Sequence, residues 1–244
     1  MSKTYALIGF SLIQSMSKEF FDEFFRVNNI EAHYQNIELN NIGEFVAVVQ
    51  KNHFSGLNVT IPYKEKVIPY LDLLEGSAKD VGAVNVIKLQ NSNLIGYNTD
   101  IYGFKMALLP LLQPHHKNAL ILGTGGASKA VKYVLDNLQI NSKFVSRTKT
   151  ESNFIYTELT AQIIENHQII INTTPVGSVP NMELCPDLPY EFLTNRYLLF
   201  DLICKPNKTL FLQKGEISGA TIENGLKMFN FQALEAYKIW NTKD

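Results

Sequence analysis

The run Leu120-Ile121-Leu122-Gly123-Thr124-Gly125-Gly126-Ala127-Ser128 restricts the folds open to this chain more than any other segment. An apolar strand passes straight into a glycine turn and then into a helix, the opening of a βαβ unit in a parallel sheet. Gly123 permits the tight turn, and Gly125 lets the backbone approach a pyrophosphate. The N–H groups near Ala127 and Ser128, with Thr124 and Gly126 completing the loop, can then hold its charge. Ser128 stands where the third glycine of the dinucleotide fingerprint is expected. An ordinary strand-to-helix turn is the competing reading, and the strand and helix on either side weigh against it.

The next strand bears on which dinucleotide. An NAD site usually offers an acidic residue there for the ribose hydroxyls. This chain has Ser146-Arg147-Thr148-Lys149 instead. A cation and hydroxyls suit a 2′-phosphate and favour NADP, the bland alternative being a solvated Arg–Lys turn. Asn172-Thr173-Thr174-Pro175-Val176-Gly177 follows a further apolar strand, at the end where α/β sheets bind ligands, but such turns are common.

Around this unit the pattern alternates. Strands are expected at Tyr5–Ile8, Ala32–Ile37, Gly56–Val59, Ala119–Leu122, Lys143–Val145, Gln168–Ile171 and Tyr197–Leu202. Helices are expected from Ser17, with Phe20, Phe21, Phe24 and Phe25 at core spacing, and from Pro62 to about Tyr70. Three more are expected over Ile101–Leu112, Ala127–Leu138 and Gly225–Trp240. Val84–Leu89 and Leu94–Tyr97 flank a polar turn and read as a hairpin. The expectation is α/β throughout, in two domains with mostly parallel sheets. Their bounds are 1–101 and 102–222, with a final helical segment over 223–244.

Bulk properties exclude several function classes. Lys and Arg total 22 against 23 Asp and Glu, a net charge of -1, so nucleic acid and anionic membranes are not expected partners. No apolar run approaches the ~20 residues that span a bilayer. The first ten residues lack a signal-peptide pattern, and Cys185 and Cys204 lack metal or CxxC spacing. The expected location is therefore the cytoplasm, with free thiols and no metal. His33, His53, His115, His116 and His167 are scattered and read as surface or core residues.

Two polar residues at strand ends are candidates for chemistry. In Asn58-Val59-Thr60-Ile61-Pro62-Tyr63-Lys64 a strand end delivers Thr60, and a proline-stiffened turn presents Lys64. A lysine that loses solvation becomes a plausible proton donor to a carbonyl oxygen. Asp100, after Gly96-Tyr97-Asn98-Thr99, either caps the following helix or holds a lysine and a substrate hydroxyl. Ser17 likewise reads as an N-cap, and Asn85 and Gln232 as groups that satisfy buried backbone.

Taken in order, these segments resemble the shikimate dehydrogenase family across nearly the whole chain. Ser15-Met16-Ser17 resembles its paired serines for a substrate carboxylate, and Asn58 to Lys64 its catalytic-lysine motif. Gly82-Ala83-Val84-Asn85 resembles the segment with a substrate-binding Asn, and Gly96 to Asp100 the segment with the partner Asp. Gly123 to Ser128 and Ser146-Arg147-Thr148 resemble its cofactor motifs, and Gly225, Met228 and Gln232 fit its closing helix. The resemblance implies an N-terminal substrate-binding domain and a Rossmann-like NADP-binding domain. The C-terminal helix would return to the first, with the site in a cleft between domains that closes to exclude water. It implies reversible NADP-dependent reduction of 3-dehydroshikimate to shikimate, a step of aromatic amino acid (chorismate) biosynthesis. Lys64 would act as general acid/base with Asp100 as its partner, and Ser15, Ser17, Thr60, Asn85 and Gln232 would hold the substrate. Thr173, Leu202, Gly225 and Met228 would join the loop residues on the cofactor. Gln14, Lys18, Glu151 and Cys204 stand where members often have His, Pro, Arg and Tyr, and Lys149 is expected to compensate for Glu151. The competing functions are a quinate/shikimate dehydrogenase using NAD, and a dinucleotide-binding sensor without catalysis. The choice between monomer and homodimer stays open.

Overall fold

The computed structural model describes residues 2–242 of the chain, which divides into two compact units, 1–99 with 233–244, and 100–232. The divisions expected from the sequence fall at 101/102 and 222/223.

The first unit is built on a six-stranded sheet of β1 (Lys3–Gly9), β2 (Ala32–Glu38), β3 (Gly56–Val59), β4 (Leu73–Leu74), β5 (Val86–Gln90) and β6 (Asn93–Tyr97), in the order β2-β1-β3-β5-β6-β4. β1 runs parallel to β2 and β3, whereas β5 is antiparallel to both β3 and β6. Five of the six strands run the same way, and only β5, the first strand of the expected hairpin, is reversed. The hairpin β5–β6 inserts a reversed strand, turning through Asn91 and Ser92 with φ of 50 and 67°. This reversal has a consequence for function. The carboxyl ends of β1, β3 and β6 and the amino end of β5 all lie on one edge.

Alternating side chains of β1 serve two cores. Ala6 and Ile8 join Leu57, Val59 and Phe45, the last from α2 (Phe45–Lys51). Tyr5 and Leu7 join Phe21 and Phe25 of α1 (Ser17–Val27) and the end of the last helix, through Ala233, Ala236 and Trp240. The Trp240 indole stacks on Tyr5 at 4.7 Å and donates to the Ile87 carbonyl at 3.1 Å. Gly56 makes room for it, since a Cβ there would run into the indole ring.

No α-helix forms from Pro62. The Ile61 and Lys64 carbonyls, which a helix would need for its own ladder, accept instead from Phe10 N–H (3.1 Å) and Val84 N–H (2.8 Å). Only a 3₁₀ turn over Ile68–Tyr70 remains.

The second unit carries a fully parallel six-stranded sheet. Its strands are β7 (Asn118–Leu122), β8 (Asn141–Ser146), β9 (Asn153–Ile155), β10 (Ile169–Asn172), β11 (Leu198–Asp201) and β12 (Thr221–Glu223), in the order β12-β11-β10-β7-β8-β9. The chain winds outward from β7 through β8 and β9, then β10 returns to the other side of β7. The gap between β7 and β10 is therefore the switch point at which such sheets bind ligands. The first unit also holds the short α3 (Ser77–Val81); of the second unit's helices, α4 covers Asp100–Leu108, α5 Gly126–Asn137, α6 Ala161–Glu165, α7 Leu210–Ile217 and α8 Leu226–Asn241. The expected helix to Leu112 ends early, passing into a 3₁₀ turn that contains Pro110. The first turns of α8 belong to this unit because Gly103 of α4 admits them. A Cβ on Gly103 would lie 2.5 Å from the Met228 carbonyl oxygen and 2.9 Å from the Gln232 Cβ. No helix among the described residues is long and apolar enough to cross a membrane.

Candidate active site

The candidate residues of the first unit gather on the edge defined above. Ser15 and Ser17 follow β1, Thr60 and Lys64 follow β3, and Asn85 precedes the reversed β5. Gly9, the last residue of β1, lets this edge close up, since a Cβ there would sit 2.5 Å from the Thr60 methyl. The serine segment is anchored by Glu38, which accepts from Leu12 N–H at 2.5 Å. Ser15 Oγ accepts from Ser17 N–H at 3.2 Å, so both hydroxyls belong to one turn. Ser17 is not the N-cap. It is the first helical residue of α1, and Met16 occupies the cap position without a side-chain bond.

Lys64 is half-buried on a loop fixed at both ends. Thr60 N–H donates to the Ile8 carbonyl (2.9 Å) and the Lys64 carbonyl accepts from Val84. Between them, the buried Tyr63 hydroxyl donates to the Leu39 carbonyl at 2.6 Å. The lysine stem thus starts from a rigid backbone, which catalysis by a long flexible side chain requires.

Asn85 is buried and paired with Thr99. Its Oδ1 accepts from Thr99 N–H at 2.7 Å, and its Nδ2 donates to Thr99 Oγ1 at 3.1 Å. This clamp fixes the backbone immediately before Asp100. Asp100 itself is 6% exposed and lies within the first turn of α4, where the helix dipole favours a carboxylate. It is a helical residue and not one preceding the helix. Gly103, three residues on and so on the same face, is where α8 packs with Met228 buried and Gln232 half-buried.

At the carboxyl edge of the second sheet, Gly123 has φ +109, and a Cβ there would meet Thr173 Oγ1 at 2.8 Å. Thr173 Oγ1 in turn donates to the Leu122 carbonyl at 2.6 Å, locking the loops after β7 and β10 together. Gly125 is the N-cap of α5, and a Cβ there would enter open space, as a site for approaching phosphate demands. Thr124 is exposed, and Gly126 and Ala127 begin the helix. Ser128 is buried and returns its hydroxyl to the Gly125 carbonyl at 2.6 Å, so it fits the place of a third glycine. Arg147 and Thr148 are exposed just past β8, with Thr148 N–H donating to Ser146 Oγ at 3.3 Å. Lys149, expected to compensate for Glu151, pairs on the surface instead. It is committed to Glu158 at 2.6 Å and to the Asn153 carbonyl. Leu202 and Gly225 touch, for a Cβ on Gly225 would run into the Leu202 carbonyl. Burial pushes the Cys204 thiol up to about 11, so it remains a neutral, weak donor.

Two polar networks escaped the sequence reading. Tyr34, buried, donates to Asn58 Oδ1 at 2.7 Å and hydrogen-bonds to Ser17, while Asn58 Nδ2 donates to the Asn85 carbonyl at 3.2 Å. The serine turn and the Asn85 clamp are thereby one structure. In the second unit, Asp201 is fully buried and its carboxyl is raised to about 6 by desolvation, against the bonds from Thr209, Ile203 and Asn172. The available signal was a lone polar residue ending an apolar strand, at Asn172 and again at Asp201.

Residues 7–87 match the family model of the shikimate dehydrogenase substrate binding domain. A Staphylococcus haemolyticus protein named shikimate dehydrogenase (NADP(+)) is 39% identical over 98% of this chain and 92% of its own length. The solved shikimate dehydrogenase of Aquifex aeolicus is 34% identical with a TM-score of 0.86, covering 98% of this chain and 92% of that one. The shikimate 5-dehydrogenase of Thermus thermophilus, solved with NADP(H) and shikimate, has a TM-score of 0.87 at 25% identity, covering 98% and 93%.

Proposed function

The chain belongs to the shikimate dehydrogenase family, and from that premise we propose that it catalyses the reversible NADP-dependent reduction of 3-dehydroshikimate to shikimate. The observation that carries this reading is the placement of the motif residues. Ser15, Ser17, Thr60, Lys64 and Asn85 collect on one edge of the first sheet, and the turns after β7, β8 and β10 on one edge of the second.

When bound, the reduced nicotinamide supplies a hydride to the C3 carbonyl carbon of the substrate. Lys64 gives a proton from its ammonium group to the carbonyl oxygen, which becomes the new hydroxyl; in the reverse direction the neutral amine takes that proton back. Asp100 takes the family's role of orienting the lysine and the substrate hydroxyl, and the Asn85–Thr99 clamp holds the backbone that leads into it. The Ser15 and Ser17 hydroxyls hold the substrate carboxylate, and Thr60, Asn85 and Gln232 hold its hydroxyls. Arg147 takes the 2′-phosphate, and the N–H groups of the Gly123–Ser128 turn take the pyrophosphate. Leu202, Gly225 and Met228 line the remainder of the cofactor. Two free cysteines fit a cytoplasmic enzyme.

A specific observation favours a second reading of the cofactor. With Lys149 bound to Glu158, Arg147 faces the 2′-phosphate without that lysine's help, so discrimination against NAD is shallow. Steady-state rates with shikimate and with quinate, each with NADP and NAD, test both points. Shikimate with NADP should give the highest kcat/KM; equal or better turnover of quinate with NAD would overturn the assignment.

A further inference from the structure

We propose that Asp201 is a positioning residue for the dinucleotide, holding the loops after β10 and β11 in the shape that receives its nicotinamide half. This rests on the NADP-dependent activity proposed above. The strand order fixes which half is meant. The phosphate loop follows β7, and Arg147 follows β8 on one side of it. A dinucleotide with its 2′-phosphate toward β8 must extend its other half over β10 and β11.

Asn172 and Asp201 end those two strands as register partners, and both are fully buried. Asp201 Oδ1 accepts from Asn172 Nδ2 and from Ile203 N–H, both at 3.1 Å, while Oδ2 accepts from Thr209 Oγ1 at 2.6 Å. One carboxylate therefore ties together the end of β10, its own following loop and the N-cap of α7. The restraint passes onward on each side. Asn172 Oδ1 accepts from Thr174 N–H (3.1 Å) and Thr174 Oγ1 (2.7 Å), shaping the turn in which Thr173 packs beneath Gly123. Leu202 N–H donates to the Asn172 carbonyl at 2.9 Å, and the Ile203 carbonyl accepts from Gly225 at 3.0 Å. Leu202 and Gly225 are thus two bonds from Asp201, and Thr173 sits in the turn that Asn172 shapes.

The charge explains why a carboxylate stands here. A neutral amide of the same shape would be cheaper to bury, but it has a single acceptor oxygen. It could not accept from Asn172, Ile203 and Thr209 with both oxygens at once.

The test measures NADPH and NADH dissociation constants by fluorescence titration, together with kcat for shikimate oxidation. The proteins are wild type, Asp201→Asn, Thr209→Val and Thr209→Ser. Asp201→Asn and Thr209→Val should weaken binding about tenfold, as expected for losing one buried charge-assisted hydrogen bond. The factor should be the same for NADPH and NADH, because the effect lies away from the 2′-phosphate. Both variants should also lower kcat, and Thr209→Ser, which keeps the hydroxyl, should behave as wild type. A folded Thr209→Val protein with unchanged dissociation constants, whatever its melting temperature, overturns the proposal, as does a loss confined to NADPH. Thr209→Val decides the matter even where Asp201→Asn fails to fold. Wild-type protein that bound NADPH but left shikimate untouched would sink the activity reading, while the titrations would still decide on Asp201.

Discussion

Replacing Asp201 with asparagine removes a group that binds its proton more tightly in the folded chain than in the unfolded one. Desolvation raises its carboxyl from the ordinary 3.8 to about 6 in the fold. Stability from this source is therefore fully present below pH 3.8 and lost as the pH rises through about 6. At physiological pH the fold carries an ionised buried carboxylate at a cost. Integrating the proton linkage between about pH 7.5 and about pH 5 gives about 1.4 kcal/mol gained by the wild type and not by Asp201→Asn. The effect of the Asp201 bonds on its titration is already contained in the raised pKa, while pH-independent effects of the substitution and titrating groups it leaves unperturbed cancel in the double difference. Urea unfolding followed by far-UV circular dichroism, for both proteins at both pH values, measures it. The stability gap should shift toward the wild type at the lower pH. A gap constant to within about 0.3 kcal/mol, the reach of such extrapolations, would show that Asp201 is not buried as a high-affinity proton site.

Lys64→Ala should lower kcat by about 10²- to 10⁴-fold, the range for losing a general acid, with NADPH binding unchanged; an unaltered kcat would refute the proton-transfer role. Arg147→Ala should weaken NADPH binding about tenfold and leave NADH binding alone, by loss of a charge-assisted contact, and an equal loss for both cofactors would remove the phosphate assignment. Trp240→Ala should cost about 3–5 kcal/mol of unfolding free energy, since a large buried ring leaves a cavity that cannot fully collapse. A cost under about 1 kcal/mol in urea unfolding would mean the indole is dispensable.

Legibility in the sequence followed the distance over which each feature is decided. The turn at Gly123 and the strands around it were readable because every bond that shapes them lies within a short stretch. Asp100 was readable as a helix-start carboxylate, but the clamp of Asn85 on Thr99 just before it was not. The helix expected from Pro62 failed for the same kind of reason: Phe10 and Val84, far apart in sequence, claim its carbonyls. Reversal of β5 was implicit in the hairpin. Its effect, bringing Asn85 to the same edge as Thr60, needed the pairing of β5 with β3. The pairing of Lys149 with Glu158 could not be read in the sequence, because the turn between β8 and β9 brings the two together. Asn172, Asp201 and Thr209 carried only the faint sign of polar residues closing apolar runs, and their meeting is visible only once β10 and β11 lie side by side.

The last turns of α8 have a consequence for how the protein is made. Tyr5, Phe21 and Phe25 leave the ribosome long before Ala233, Ala236 and Trp240, which complete their core. The unit spanning 100–232 is contiguous and can fold while translation continues. The earlier-made unit must wait, with its aromatic face uncovered, until α8 has been made. A pause before α8 therefore exposes that face to aggregation.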